Sequence, residues 1–514
     1  MKSIQFLLLC CALFYLQSCR VQFLPCDDGK IEVVILQMND VYEIAPSDGG
    51  RVGGLARVAT VLKRLEKENP NTYCVLAGDF LNPSLMGQLK RDGKRVSGEQ
   101  MVQMMNAVGV DAVTFGNHEF DIKMPELQAR LNESEFVWLG TSVRQVIDNQ
   151  EVKFRKETAT GTSEVPDRLI WEVYDRDGTQ AKIGFFGTTI DSNPKDFVKY
   201  NDFYQRPIEE AKALTEVSDV VIGITHLEIE QDKKLAEMMP VAVPLFMGGH
   251  DHDKMSVQVK NTSITKADAN AKSVWVHRIM IDFIDKKPNV TLTSEAIDIT
   301  DAIPDDPAVS ALSEKWTAVQ NELIEQIYPT PYEKIYTTDV PLDARESSIR
   351  NRRTNFGDIL ARAMTTGARG EVVGSIINSG SVRIDDQLKG NIYAVDMFRS
   401  LPFGGGVQEV ELRGSLLDKM LRQGLANKGK GGFLQTDGFV YNQENATWYV
   451  ENEPLDRDRT YRIVVSDFLL TGLESGMDFF TPDNPEMIST EKPTEADDMR
   501  SDIRLLIIDY LKKL

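Results

Sequence analysis

Five short segments carry the residue types that hold metal ions. They are Asn39-Asp40-Val41-Tyr42, Gly78-Asp79, Gly116-Asn117-His118-Glu119-Phe120-Asp121, Thr225-His226 and Gly248-Gly249-His250-Asp251-His252. The chain has five histidines, and four of them lie in these segments. Carboxylate, imidazole and amide oxygen form a borderline-hard donor set, suited to zinc, manganese or iron. A carboxylate shared by two cations would hold them roughly 3.5–4 Å apart, close enough to activate a water and clamp phosphoryl oxygens. The fifth histidine, in Val276-His277-Arg278, has no such neighbours and reads as structural.

The elements that must position these segments are short apolar runs. Residues 33–36, 73–77, 112–115, 220–224 and 244–247 each end just before one of them, and 136–139 and 183–186 are similar runs. The runs are continuous rather than alternating, which suits strands buried on both faces. Helical patterns fall at 55–67 and 97–107, the second with Ser97 as the expected cap. Strand–helix alternation predicts a layered α/β domain, with ligands gathered beyond the carboxyl ends of its strands.

The chain is 514 residues long, enough for two or three domains. The α/β pattern spans about 30–300. Residues 301–345 read as a connector, with a Pro304-Asp305-Asp306-Pro307 loop, a helix over 308–326 and a Pro- and Tyr-rich stretch over 328–336. A second mixed α/β region covers 346–514 and closes on a helix-like segment from Met499. The net charge of −20 excludes a basic footprint for a nucleic-acid polymer.

The N-terminus has the plan of a secretory signal. Lys2 precedes an apolar run over 4–16, then Gln17-Ser18-Cys19. The run is short for a membrane span. Leu16-Gln17-Ser18-Cys19 resembles a bacterial lipobox, in which lipidated Cys19 becomes the mature N-terminus; the alternative is an ordinary signal over 1–19. Either predicts export, to the periplasm or as a lipid-anchored protein of the cell envelope. Only Cys26 and Cys74 remain in the mature body, too few for a disulfide framework. Cys74 lies in an apolar run and reads as a buried small hydrophobe.

The ordered series of five segments resembles the calcineurin-like metallophosphoesterases. The Arg51-x-Gly53-Gly54-Leu55-Ala56-Arg57 stretch and the spacing are similar to the 5'-nucleotidase branch. The resemblance continues into the C-terminal half, through Asn378-Ser379-Gly380-Ser381-Val382-Arg383 and Leu401-Pro402-Phe403-Gly404-Gly405. It implies a four-layer α/β/β/α metallophosphoesterase domain followed by a mixed α/β substrate-binding domain.

It also implies roles. Asp40 and His252 would bind a first divalent metal, Asp79 would bridge, and Asn117, His226 and His250 would complete a second. His118 would stabilise charge on the phosphoryl group, oriented by Asp121. Tyr42 stands where the family has histidine. Either its phenol binds the first metal after losing a proton, or it turns away and water takes the place. Arg350, Asn378 and Arg383 would hold phosphate or ribose, and Phe403 and Phe468 would stack the base. Asp478, preferred over Glu474, would take the ribose. Without the resemblance, the Arg350, Arg352 and Arg353 cluster reads as a solvated face and the phenylalanines as core.

The function so implied is hydrolysis of a nucleotide phosphate ester by a metal-bound hydroxide, with two zinc, manganese or similar ions. Alternatives are another phosphoester (a nucleotide sugar, cyclic nucleotide or non-nucleotide phosphate) or a surface binding protein that has lost catalysis.

Overall fold

The computed structural model describes residues 27–192, 194–495 and 497–514. The signal segment, Cys19 and Cys26 lie outside the described residues. Residues 30–300 form two stacked six-stranded sheets. In the first the strand order is Lys287–Asp298, Ser273–Ile284, Lys30–Met38, Thr72–Leu76, Ala112–Thr114, Val137–Leu139. In the second it is Arg168–Tyr174, Gln180–Thr189, Val220–His226, Leu245–Gly248, Thr262–Lys266, Met255–Val259.

Both faces of each sheet are covered, which is why the apolar runs are unbroken. In Lys30–Met38, Ile31, Val33 and Ile35 pack towards the second sheet with Phe185, Ile222 and Leu245. Val34, Leu36 and Met38 pack outward with residues of helices Leu55–Glu68, Glu99–Val108 and Met124–Glu133. Helices Gln205–Thr215 and Ile229–Met238 cover the outer face of the second sheet. The result is four layers, α/β/β/α. Full burial of each Leu, Ile or Phe side chain contributes roughly 1.5–3 kcal/mol. The two-sided core therefore holds the strand ends rigidly.

Ser97 does not cap the second helix. That helix starts at Glu99, after Gly98 in a left-handed conformation with no side-chain cap. Ser97 is buried, and its carbonyl accepts from Arg130 at 3.1 Å. Tertiary contact has taken the place of the local cap.

The segment 301–345 is folded. Asp306 caps helix Pro307–Glu325 by accepting from the Ala308 and Val309 N–H groups. Val309 and Trp316 pack into the N-terminal core, while Leu323 and Ile324 pack into the C-terminal one. Strand Lys334–Asp343 pairs with Gln387–Tyr393. The C-terminal domain is built on a five-stranded sheet in the order Leu434–Asp437, Ser375–Asn378, Thr460–Ser466, Val407–Arg413, Met487–Glu491. Helices Asn355–Thr366 and Ile503–Lys512 cover one face and Gly414–Ala426 the other. Its core also takes in Leu85 and Leu89 from the N-terminal domain.

Candidate metal centre and substrate face

The carboxyl ends of four parallel strands converge across the two sheets. Asp40 and Asp79 follow neighbouring strands of the first sheet. His226 ends its strand in the second, and His250 and His252 follow the next. Asp40, Asp79, His250 and His252 all have left-handed backbones, with φ of 52°, 57°, 81° and 62°. Such conformations are costly for residues with a Cβ and collect at functional sites. The chain turns sharply at each strand end and aims the side chain back over the sheet edge. Glycine is required where these turns touch: a Cβ on Gly116 would collide with Asp79 Oδ1, and one on Gly249 with the Ala77 carbonyl.

The donor atoms cluster tightly. Tyr42 does not turn away. Its hydroxyl lies 3.4 Å from Asp40 Oδ1, 3.3 Å from Asp79 Oδ2 and 3.2 Å from His252 Nε2. His252 Nε2 is 3.4 Å from Asp40 Oδ1. A tetrahedral ion with bonds of about 2.0–2.1 Å has donor–donor edges of about 3.3 Å, so these atoms are spaced as ligands. On the other side, single donor atoms of Asp79, His226 and His250 all lie within 4.8 Å of one another. His226 Nε2 is 3.1 Å from Asp79 Oδ2 without hydrogen-bonding geometry. Asn117 Oδ1 is likewise buried with no hydrogen-bond partner. Both belong to residues expected to hold the second cation. The bare Asn117 acceptor costs about 1–3 kcal/mol, which a cation would recover. The residues therefore fit two divalent ions.

The charge balance agrees. Burial opposes protonation of His226, but Asp79 and Asp40 pull it up to about 9. Burial acts to raise Asp40, yet His226 and His252 hold it below its usual value. The carboxylates thus favour a positive charge on His226, while neighbouring His250 is pushed down to about 3 by burial and then by that charge. His277 is the contrast to His226: equally buried, with no carboxylate nearby, it is pushed down to about 3. It bonds Ser294 Oγ at 2.8 Å and Gln37 Oε1 at 2.9 Å, a structural role.

Beside the cluster, His118 Nδ1 is 2.6 Å from Asp121 Oδ2, and Lys195 stands 3.2 Å from Asp121 Oδ1. The dyad sits on a 3-10 turn, His118–Asp121. The His118 N–H donates to Asp79 Oδ1 at 2.8 Å, which locks it to the metal cluster.

Sequence reasoning assigned no role to three groups that hold the site. Glu119 accepts from the N–H groups of Asp79, Phe80, Leu81 and Gly116, at 2.6–3.1 Å. It ties the second and third loops together. Burial and then the Asp79 charge push its carboxyl up to about 7. Lys266, fully buried, bonds Asp232 at 2.7 Å, Asp251 at 2.5 Å and the Leu227 carbonyl at 2.5 Å, anchoring the 249–252 loop. Asp385, from the C-terminal domain, is 3.0 Å from His252 Nδ1. Glu119 lies inside the Gly116-Asn117-His118-Glu119-Phe120-Asp121 segment and could have been suspected there. The other two had no local signal.

The C-terminal residues form a second face of the same site. Arg350 pairs with Glu346, and Arg383 stands 3.6 Å from the same carboxylate and over the Phe403 ring. Both guanidinium Nε atoms are buried without partners. Arg352 and Arg353 instead pair with Asp343 and Asp358 at the surface. Phe403 and Phe468 are exposed, not core. Their loops are tied by Asp467, which bonds Gly406 through backbone and side chain. Asn378 donates to Glu474 at 2.9 Å and accepts from Ser381. Of the two carboxylates weighed for a ribose, Glu474 is the one that meets Asn378. Asp478 sits between Met477 and Phe480, both anchored in the core, and is turned to solvent. Gly472, in a left-handed turn after Asp467–Thr471, brings Glu474 back towards Asn378.

Comparison with known proteins agrees with this geometry. Residues 33–254 match the calcineurin-like phosphoesterase model, and 334–481 match the 5'-nucleotidase C-terminal domain model. The chain is 25% identical over 499 residues to a trifunctional nucleotide phosphoesterase of Bacillus subtilis, covering 87% of this chain but only 32% of that longer protein. It is 26% identical over 506 residues to the 5'-nucleotidase of Bos taurus, covering 86% and 83%. The solved 5'-nucleotidase precursor of Thermus thermophilus superposes with a TM-score of 0.72 at 21% identity, over 94% and 96%. With both family models matched in order, and together spanning well over half its length, this chain belongs to the 5'-nucleotidase family of metallophosphoesterases.

Proposed function

We propose that this chain hydrolyses the phosphate ester of a nucleotide. The observation that carries the reading is the convergence of Asp40, Tyr42, Asp79, His226, His250 and His252 on one edge, beside the 2.6 Å His118–Asp121 pair. Asp40, Tyr42, Asp79 and His252 would hold one cation, and Asp79, Asn117, His226 and His250 the other, zinc or manganese by their chemistry. When bound, the two ions supply Lewis acidity and an activated water. His118, held by Asp121, meets negative charge developing on the phosphoryl group. Arg350 and Arg383 neutralise and orient substrate oxygens. Phe403 and Phe468 offer aromatic faces to a base, and Asn378 with Glu474 offers polar partners to a ribose.

The N-terminal lipobox-like segment supports export to the cell envelope. If Cys19 is lipidated, Cys19→Ser releases the protein from the membrane fraction; an already soluble wild type points to a plain signal.

The deciding assay is phosphate release from nucleotides, nucleotide sugars, cyclic nucleotides and sugar phosphates, with zinc or manganese added to apo-protein. Nucleotide monophosphates are expected to be cleaved best. Preference for another member of the panel reassigns the substrate, and no release with either metal leaves a binding protein.

A further inference from the structure

Asp385 belongs to the C-terminal domain yet touches a candidate metal ligand 133 positions away. Its two oxygens have different partners. Oδ2 accepts from His252 Nδ1 at 3.0 Å. Oδ1 accepts from the Glu346 N–H at 2.8 Å, at the start of the short helix Glu346–Ile349. Glu346 is the carboxylate shared by Arg350 and Arg383. Asp385 itself has a left-handed backbone, φ 44°, which aims the carboxylate at a local conformational cost. Lys272 of the N-terminal domain pins the same turn, bonding the Asp385 carbonyl at 3.4 Å and standing 3.7 Å from Asp386.

The hydrogen bond decides which nitrogen of His252 is free. With Nδ1 donating to Asp385, Nε2 keeps its lone pair. Nε2 is the atom that faces Asp40 Oδ1 and the Tyr42 hydroxyl. Metal-bound histidines are commonly fixed in this way, by a carboxylate on the far nitrogen. Here that carboxylate comes from the other domain.

We infer that Asp385 is a positioning residue that completes the first metal site from the C-terminal domain. It links cation retention at His252 to the placement of the Arg350–Glu346–Arg383 group. The inference rests on the two-metal reading above. Linkage is reciprocal: whatever seats the arginines should tighten the first ion, and the ion should order the arginine-bearing turns.

The test uses the full chain, zinc alone as probe, and Asp385→Asn beside Asp386→Asn. Asp386 carries the same charge on the same turn but does not touch His252. Zinc affinity and stoichiometry are measured by chelator competition, and amide exchange is followed over 344–350 and 383–388. Wild type is expected to bind two equivalents. Asp385→Asn should hold one as tightly as wild type and weaken the other by about 10–100-fold. The retained tight equivalent reports that the variant is folded. Asp386→Asn should stay within about twofold of wild type at both sites. Zinc should slow exchange of the two segments in wild type and in Asp386→Asn, but not in Asp385→Asn. Unchanged affinity in Asp385→Asn, equal weakening by Asp386→Asn, or equal zinc protection in all three proteins overturns the inference. A wild type that binds only one equivalent instead defeats the two-metal reading itself.

Discussion

Asp40 and Asp79 are sealed from solvent, with their oxygens already spaced as ligands, while Phe403 and Phe468 leave 44% and 40% of their surface open. The two faces of one site are thus prepared differently. The metal side is preorganised by buried strands, left-handed turns and the Glu119 and Lys266 anchors. Its groups act as a unit, so removing one should disable the rest. The face proposed for substrate is made of two exposed rings and of Arg350 and Arg383, which share the Glu346 carboxylate. Its groups act more independently, so each removal should cost only its own contact.

That contrast orders the expected effects. The largest belongs to Asp79→Asn, because one neutral amide cannot balance two dications. Turnover should vanish and bound metal should fall, read by phosphate release and elemental analysis; normal metal content with full activity would defeat the shared-ligand role. Next is His118→Ala, expected to lower kcat by about 10²–10⁴-fold. Metal content should stay constant, and its loss would make His118 a ligand instead.

On the open face, Phe403→Ala and Phe468→Ala should each raise KM for a nucleotide, since a stacked base contributes about 1–3 kcal/mol. A sugar phosphate without a base should be unaffected. Equal losses for both substrates would place the rings in packing.

Tyr42 tests the sealed face more finely. Burial, then Asp79 and Asp40, hold its pKa well above the usual tyrosine value. A phenolate ligand must release that proton on binding, so affinity at the first site should climb about tenfold per pH unit through the neutral range. Tyr42→His should lose the phenol's share of that slope, keep the share of His252, whose pKa burial opposes but Asp385 and Asp40 raise, and favour zinc. Zinc titrations at three pH values suffice, and equal slopes would exclude the phenol as a ligand. The smallest effect separates neighbours: Glu474→Ala should raise nucleotide KM by about 3–10-fold, as for one lost polar contact, while Asp478→Ala should leave it unchanged. The reverse outcome would assign the ribose to Asp478.

The candidate ligands could be picked out in the sequence because each sits within a few residues of a strand end, beside the Gly, Asn or Thr that its turn demands. Those are short-range patterns, and unbroken apolar runs revealed the strands that carry them. Whether Tyr42 faced in or out was not legible, since a phenol fits either environment until the neighbouring strands are placed. Nor were the groups that hold the ligands. Asp385 meets His252 across 133 positions, and Lys266 gathers Asp232 and Asp251 inside the domain. That Glu474 meets Asn378 while Asp478 faces solvent was not legible either, since it depends on Met477 and Phe480 being pulled into the core. Ser97 lost its helix cap to packing in the same way. Local sequence determined which residues could do the chemistry, because residue type and turn propensity are local. Tertiary structure decided which of them meet, because buried polar atoms must find partners wherever the packed layers bring them.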